Sequence, residues 1–275
     1  MRILIVGGSG FLGREVARQA TAIGHAVTAT FASRAGSLPG VHWLPLDLRR
    51  TGEIGVVVGE ARPDVVVNAA YRKGDWATTA DGAIQVARAA SARGCRVVHV
   101  SSDAVFSGSD VRYDECATPD PVTPYGAAKA AAETAIRLLT PDAVIARTSL
   151  IVGDGGSPHE DFVHELAEGR RDGVLFTDVI RCPVHVADLA AALVELAATD
   201  HTGMCHLGGP DAVSRHELGV LIAARDGLDA ARLPAGRRAD VPTPGALDVR
   251  LDSERTQRTL RTRLRGAREF LRRAD

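Results

Sequence analysis

The sequence predicts an α/β protein built on a doubly wound parallel sheet, because short apolar runs alternate with helical patterns through its first half. Nearly continuous apolar runs, typical of strands buried on both faces, lie at residues 3–6, 26–30, 65–68, 97–101 and 144–147. Helical patterns separate these runs at residues 11–23, 52–61, 81–93 and 125–139. Repeated strand–helix units of this kind favour right-handed βαβ connections and a parallel sheet.

The pattern changes after residue 147, which predicts a second, smaller unit. A glycine-rich loop covers residues 152–158, and helical patterns follow at 161–170, 186–198 and 216–225. A Pro/Gly-rich stretch at 233–247 precedes a basic terminal helix that ends at residue 273. We expect residues 1–150 to form the first domain, with residues 178–200 returning to it. A smaller C-terminal α/β lobe is expected from residues 151–177 and 201–275.

Composition excludes several classes of protein. The 275 residues are 45% hydrophobic and carry a net charge of −1, so a large core is expected and a basic nucleic-acid or membrane surface is not. The sequence shows no apolar stretch of about 18 residues, and its first apolar run is too short for a signal sequence. The four cysteines have no metal-ligand spacing, so we expect free thiols, a cytoplasmic location and no metal site.

A glycine-rich loop joins the first strand to the first helix. Gly7, Gly10 and Gly13 would permit a tight turn, close approach of a pyrophosphate and close helix–strand packing. The pyrophosphate would lie at a helix N-terminus, where unpaired N–H groups favour anions. The loop therefore predicts a dinucleotide site in a Rossmann-type fold. The expected contacts of this loop are Gly7, Ser9, Gly10, Phe11, Leu12 and Gly13.

The end of the second strand indicates which dinucleotide binds. An NAD site needs a carboxylate there for the ribose 2′-hydroxyl, but the chain has none between Glu15 and Asp47. Arg34 would instead pair with a 2′-phosphate, and Ser33 would donate a hydrogen bond to it. We therefore predict NADP(H) rather than NAD(H). The alternative is that Arg34 is simply a solvated loop arginine.

A tyrosine and a lysine stand four residues apart, and lysine is rare here: only two of the 33 Lys and Arg residues are Lys. Thr123 and Pro124 suit a helix start, which would place Tyr125 and Lys129 on one helix face. The ammonium would lower the phenol pKa from its ordinary value near 10. Ser102 ends a buried strand, at the sheet edge where ligands bind. These three residues predict a catalytic acid–base site. Taken singly, Tyr125 could only pack and Ser102 only cap a turn.

Four motifs together resemble a known family, the extended short-chain dehydrogenases/reductases, and within it the dTDP-4-dehydrorhamnose reductase-like proteins. The motifs are the glycine loop, Asn68-Ala-Ala, Ser101-Ser-Asp-Ala-Val-Phe and Pro-Tyr125-Gly-Ala-Ala-Lys129. The resemblance implies that Tyr125 is the general acid, that Lys129 lowers its pKa and binds the cofactor ribose, and that Ser102 donates to the substrate carbonyl. It also implies cofactor contacts at Asp47, Leu48, Ala69, Ala70 and Tyr71.

The resemblance further implies an NADPH-dependent reductase of a keto group, with C4 of a nucleotide-linked deoxy sugar as the expected target and the smaller lobe binding substrate. We expect substrate contacts from Asp103, Lys73, Trp76 and Arg147. In this interpretation Lys73 lies near a diphosphate and Trp76 stacks on a base or sugar. The alternative for their segment is an ordinary surface loop with one buried aromatic residue. For His185 and Asp188 we expect a capping and packing role at a helix start.

Two other functions remain open from the sequence. A non-catalytic NADP-binding regulatory subunit would need neither Tyr125 nor Lys129, and both are present. A sugar-nucleotide epimerase would retain its nicotinamide tightly, because it oxidises and then re-reduces its substrate. The sequence leaves the oligomeric state open, although helices that flank the sheet would suit a homodimer.

Overall fold

The computed structural model describes residues 1–273 and shows a mixed α/β protein. Residues 274 and 275, the end of the expected second lobe, lie outside the described part. The strands are β1 (Arg2–Val6), β2 (Ala26–Phe31), β3 (Val41–Pro45), β4 (Val65–Asn68), β5 (Arg96–Ser102), β6 (Arg112–Tyr113), β7 (Val144–Thr148), β8 (Ile151–Val152), β9 (Leu175–Phe176), β10 (Ile180–Arg181), β11 (Val184–His185), β12 (Gly203–Leu207), β13 (Val213–Ser214), β14 (Ala235–Gly236) and β15 (Arg250–Leu251). The helices are α1 (Phe11–Ala22), α2 (Thr51–Ala61), α3 (Ala83–Ser91), α4 (Pro124–Leu139), α5 (Pro158–Ala167), α6 (Val186–Ala197), α7 (Arg215–Asp226), α8 (Glu254–Thr259) and α9 (Ala267–Phe270).

The central sheet confirms the predicted doubly wound architecture. Seven described strands pair in the order β12-β7-β5-β4-β1-β2-β3, and every neighbouring pair is parallel. Helices α1 and α6 cover one face of the sheet, and α2, α3 and α4 cover the other. Alternate residues of each strand therefore enter two separate apolar cores, as burial on both faces requires.

Two strands of this sheet are not predicted from the sequence. Strand β3 is an edge strand with mixed burial and contains His42 and Pro45, so it lacks the apolar run of a central strand. Strand β12 forms the other edge and pairs with β7. Residues 203–207 therefore belong to the main sheet, and the expected lobe boundary at residue 201 is wrong for this segment. Helix α6, at residues 186–197, packs against α1.

Two helix predictions also need correction. The helix expected at 81–93 begins earlier, because a π-helical turn at Ala77–Gly82 leads directly into α3. The expected terminal helix is two short helices, α8 and α9, with irregular chain between them. Gly266 precedes α9, and a Cβ there would lie 2.3 Å from a carboxylate oxygen of Asp211. Close packing against Asp211 therefore selects glycine at this break.

The start of α4 places the predicted catalytic residues. As expected, Thr123 caps the helix by accepting a hydrogen bond from the Gly126 amide at 3.1 Å, and Pro124 opens the first turn. A Cβ at Gly126 would lie 2.0 Å from the carbonyl oxygen of Ala104. Glycine thus lets α4 pack directly on the chain that leaves β5, which brings Tyr125 close to the end of that strand.

A second apolar core forms the smaller lobe. It is made mainly by α5, α7 and α9, with short strand pairs β9–β14 and β10–β13 beside them. His185 caps α6 as predicted, since its Nδ1 accepts from the Ala187 amide at 3.2 Å. Asp188 forms an ion pair with Arg265, in which Asp188 Oδ2 lies 2.9 Å from Arg265 Nε. Of the capping and packing roles expected for Asp188, the structure shows the packing role. No helix among residues 1–273 is both long and apolar enough to cross a membrane.

Candidate active site

The glycine loop between β1 and α1 has the geometry of a pyrophosphate cradle. Gly7 has φ +82°, and a Cβ on it would lie 2.8 Å from the Cα of Ala70. A Cβ on Gly13 would lie 2.2 Å from the Gly7 carbonyl oxygen, so loop and helix touch without side chains. Helix α1 begins at Phe11 with neither a side-chain cap nor an acidic residue in its first turn. Its N-terminus is therefore suited to an anion, and the loop fits a dinucleotide.

The segment after β2 fits the 2′-phosphate of NADP(H). Ser33 and Arg34 are both exposed and follow the strand within three residues. The nearby carboxylate, Asp47, forms an ion pair with Arg49 at 2.6 Å, and this pairing lowers the pKa of Asp47 to about 2. Leu48 is buried in the core between the sheet and α3, so a contact from its side chain to adenine is not supported.

Ser102 and Tyr125 meet at the carboxyl edge of the sheet. Ser102 ends β5; its Oγ donates to Asp103 Oδ1 and accepts from the Ala104 amide, both at 3.2 Å. The pKa of Tyr125 is raised well above its ordinary value, first by burial and then by Tyr71, while Ser102 acts in the opposite direction. Burial and Tyr71 therefore both favour the protonated phenol.

The expectation that Lys129 lowers the Tyr125 pKa is wrong, because burial, Tyr71 and Asp103 raise this pKa. Lys129 is 2% exposed, and its Nζ donates to the carbonyl oxygen of Val100 at 2.8 Å. Burial lowers the Lys129 pKa to about 8, with Glu133 opposing the change. The Lys129 ammonium therefore binds the backbone of β5, whereas burial and Tyr71 raise the pKa of the Tyr125 phenol.

Arg147 was expected to contact substrate, but in the structure its side chain is buried in the core. Its guanidinium binds Glu133 with Nη2–Oε2 at 2.8 Å, and both side chains are at most 3% exposed. The same group lies 4.9 Å from the centre of the Phe106 ring. A substrate role for Arg147 is therefore not supported, because a central strand of the sheet directs its side chain inward.

Asp103 lies among positively charged side chains, of which only Lys73 was predicted from the sequence. Arg181 Nε lies 3.6 Å from Asp103 Oδ2. Burial and Arg181 lower the pKa of Arg215 to about 10, and burial and Arg215 lower the pKa of Lys73. Burial, Arg215 and Lys73 together lower the pKa of His159 to about 3. These mutual effects place Lys73, His159, Arg181 and Arg215 close to one another, and the four residues are here called the cation cluster.

Two predicted substrate residues lie here. Lys73 is part of the cation cluster. Asp103 lies beside the cluster, and its carboxylate also accepts a hydrogen bond from Ser149 Oγ at 2.6 Å. Trp76 is 49% exposed and donates from Nε1 to Asp81 at 3.1 Å, so its predicted contact with substrate remains a prediction. Arg215 begins α7 directly after its capping residue Ser214, and its position in the chain alone carried no signal of a role.

Residues at the end of β4 complete the cleft. Ala69 and Ala70 are half-buried, and Ala70 contacts the glycine loop beside Gly7. Tyr71 follows them and places its ring 5.8 Å from the ring of Tyr125. Ala70 therefore lies beside the glycine loop and Tyr71 beside Tyr125, and the cofactor contacts expected from Ala69, Ala70 and Tyr71 stay predictions. Within residues 1–273 no three His, Cys, Asp or Glu side chains gather as metal ligands would.

Fold and site together define the class of this protein as an NADP(H)-dependent oxidoreductase of the Rossmann type. Sequence comparison then identifies its family. The RmlD substrate binding domain model matches residues 1–274, so the chain belongs to that family.

Individual relatives agree with this assignment. A Mycolicibacterium smegmatis protein named dTDP-4-dehydrorhamnose reductase is 31% identical over 288 residues, covering 98% of this chain and 84% of the relative. The Bacillus subtilis spore coat polysaccharide biosynthesis protein SpsK is 30% identical over 243 residues, covering 84% and 82%. The crystal structure of a hypothetical dTDP-4-dehydrorhamnose reductase from Sulfolobus tokodaii is similar with TM-score 0.81 and 29% identity, covering 95% of this chain and 96% of that chain.

Proposed function

We propose that this protein is an NADPH-dependent reductase of the 4-keto group of a nucleotide-linked deoxy sugar. The observation that carries the proposal is the position of the Tyr125 phenol beside Ser102 at the carboxyl edge of the sheet, next to Asp103 and the cation cluster. The names of the M. smegmatis and S. tokodaii relatives support a dTDP-4-dehydrorhamnose reductase-like substrate.

Tyr125 is the proposed proton donor. Bound NADPH supplies the hydride for the carbonyl carbon. The carbonyl oxygen then needs a proton, and a phenol whose pKa is raised retains its proton until an alkoxide is present beside it. Ser102, at the strand end, donates a hydrogen bond that orients and polarises that oxygen. Lys129 ties α4 to β5 behind this site through its hydrogen bond to the Val100 carbonyl oxygen, which holds Tyr125 at the strand end.

The cation cluster is the proposed site for the diphosphate of the substrate. Lys73, Arg181 and Arg215 bring three positive charges and Asp103 one negative charge. His159 is neutral at ordinary pH because its pKa lies at about 3. A nucleoside diphosphate ester carries about two negative charges, which matches the excess charge of the cluster. The smaller lobe, which contributes three of these side chains, is therefore the proposed substrate-binding lobe.

The assembly and cellular location stay predictions. The helices on the sheet faces would suit a homodimer, and light scattering coupled to gel filtration measures whether two copies associate. A cytoplasmic location is expected from the scattered cysteines.

The test is NADPH oxidation with dTDP-4-dehydrorhamnose and a panel of other keto compounds, comparing wild type with Tyr125→Phe. The variant should lose about 10²–10⁴-fold in turnover and keep its NADPH affinity, because only the acidic proton is removed. Tyr113→Phe is the matched control, since Tyr113 stacks on Phe106 and its hydroxyl accepts from the Gly108 and Asp110 amides. It should turn over like wild type.

The other outcomes separate the alternatives. Unchanged turnover in Tyr125→Phe would refute the proton-donor role. Tight NADPH binding without turnover of any keto compound would favour a regulatory subunit. Purified protein that already carries nicotinamide would favour an epimerase.

A further inference from the structure

A buried carboxylate lies one helical turn beyond the proposed catalytic lysine. Glu133 is 2% exposed and follows Lys129 by four residues on α4. Arg147 donates to it from Nε at 3.0 Å and from Nη2 at 2.8 Å, and Ser101 Oγ donates at 2.5 Å. Three hydrogen bonds from two strands therefore fix its carboxylate in one orientation.

Lys129 and Glu133 form hydrogen bonds with consecutive residues of the same strand. Lys129 Nζ donates to the carbonyl oxygen of Val100, and Glu133 accepts from Ser101. The next residue of β5 is Ser102. Helix α4, which carries Tyr125, is thus tied to β5 directly before the strand end that carries the second proposed catalytic hydroxyl. A shift of either side chain would change how helix and strand align.

The groups around Lys129 leave its charge dependent on Glu133. From β5, His99 is fully buried and neutral, because burial and Lys129 hold its pKa well below the ordinary value. From the β4 end, the Tyr71 ring lies 5.7 Å from Nζ. From β7, Arg147 pairs with Glu133. Among the described residues Glu133 is the group that favours the ammonium, against the burial that opposes it.

We propose that Glu133 is a positioning residue of the reaction: clamped by Arg147 and Ser101, its carboxylate keeps the Lys129 ammonium charged and aligned with the strand end at Ser102. The inference rests on the proposed function, because it acts through Lys129. Glu133 itself lies one turn beyond the lysine and acts on the reacting atoms through it.

The test observes Lys129 directly, because the chain has only two lysines. Biosynthetic labelling with lysine carrying ¹³C at Cε gives two resonances, and Lys73→Arg assigns them by removing one. In wild type the Lys129 resonance should titrate near pH 8. In Glu133→Gln it should titrate about one pH unit lower, as loss of a neighbouring opposite charge requires.

Glu133→Gln leaves the buried Arg147 charge unpaired and could therefore fold poorly, so a second variant is included. The double variant Glu133→Gln/Arg147→Met removes both charges of the pair at similar volume. The Lys129 titration should still shift downward, but by less, because loss of the Arg147 positive charge offsets part of the effect of losing Glu133. Glu115→Gln is the matched control: Glu115 is also buried, but it binds Thr256 at 2.6 Å, and its removal should leave Lys129 unchanged.

Turnover separates this inference from the proposed function. In the Glu133 variants the alkaline limb of kcat/KM should move to lower pH together with the NMR titration. A Lys129 titration that is unchanged in both variants would overturn the inference, whatever their activity. Full turnover in Lys129→Met would refute the proposed function instead, and the NMR titration of the Glu133 variants would still stand.

Discussion

The ring of Tyr71 lies 5.8 Å from the ring of Tyr125, centroid to centroid, with the two planes tilted by 56°. Tyr71 follows β4, and Tyr125 lies in the first turn of α4, so two distant segments meet at the proposed proton donor. Tyr71 is 51% exposed and forms the solvent side of this pair. It contributes to the high pKa of Tyr125 and is the accessible position for altering it.

Tyr71→Phe should lower the pKa of Tyr125 while leaving it above the ordinary value near 10. The variant removes the phenol oxygen but keeps the ring, and burial, the larger cause of the raised pKa, remains. Ultraviolet titration in a Tyr71→Phe/Tyr113→Phe background reports Tyr125 alone, since the chain has three tyrosines. Titration of Tyr113→Phe gives the comparison with Tyr71 present. A Tyr125 pKa that does not fall on loss of the Tyr71 oxygen would contradict the prediction.

Arg34→Ala should weaken NADPH binding about 10–100-fold and leave NADH binding unchanged. The arginine is exposed after β2, where a 2′-phosphate would lie, and a hydrogen bond to a charged group contributes about 1.5–3 kcal/mol. Titration calorimetry with both cofactors measures the change. Arg88→Ala, an exposed arginine on α3, is the matched control. Equal losses for NADPH and NADH, or tighter NADH binding by wild type, would rule out the assigned role.

Lys73→Met should raise KM for the nucleotide sugar about tenfold, with a smaller effect on kcat. Lys73 lies in the cation cluster with Arg215, so its loss removes charge from the proposed diphosphate site. Steady-state kinetics at saturating NADPH separates KM from kcat. The neighbouring Arg72→Met removes one positive charge from the same exposed segment but outside the cation cluster, and it should leave KM near the wild-type value. Equal KM values for both variants would place the diphosphate elsewhere.

Stability should fall as pH drops below about 6.5. Burial lowers the pKa of His206 to about 4 and that of His159 to about 3, so the unfolded chain binds protons that the folded protein does not. Between the folded and unfolded pKa values, each such histidine costs up to about 1.4 kcal/mol per pH unit on acidification. Urea unfolding above and below pH 6.5 measures this slope. His159→Gln should flatten it, whereas His42→Gln, at an exposed position, should not.

Local features of the chain determined much of this protein without tertiary information. The glycine loop, the helix start at Thr123 and the spacing from Tyr125 to Lys129 each span less than two helical turns, so local geometry settles them. The central strands are equally clear, because burial on both faces requires a continuous apolar run. The edge strands β3 and β12 cannot be recognised from a continuous apolar run, since an edge strand tolerates polar residues.

The tertiary structure alone decided the charge states and the partners of the polar groups. Arg181 meets Asp103 from 78 positions away in the chain, and Arg147 meets Glu133 in the core rather than a substrate. The pKa of Tyr125 rises where the motif by itself predicts a fall, because burial and Tyr71 raise it. Desolvation and non-local charge act through space, and a linear spacing contains neither of them.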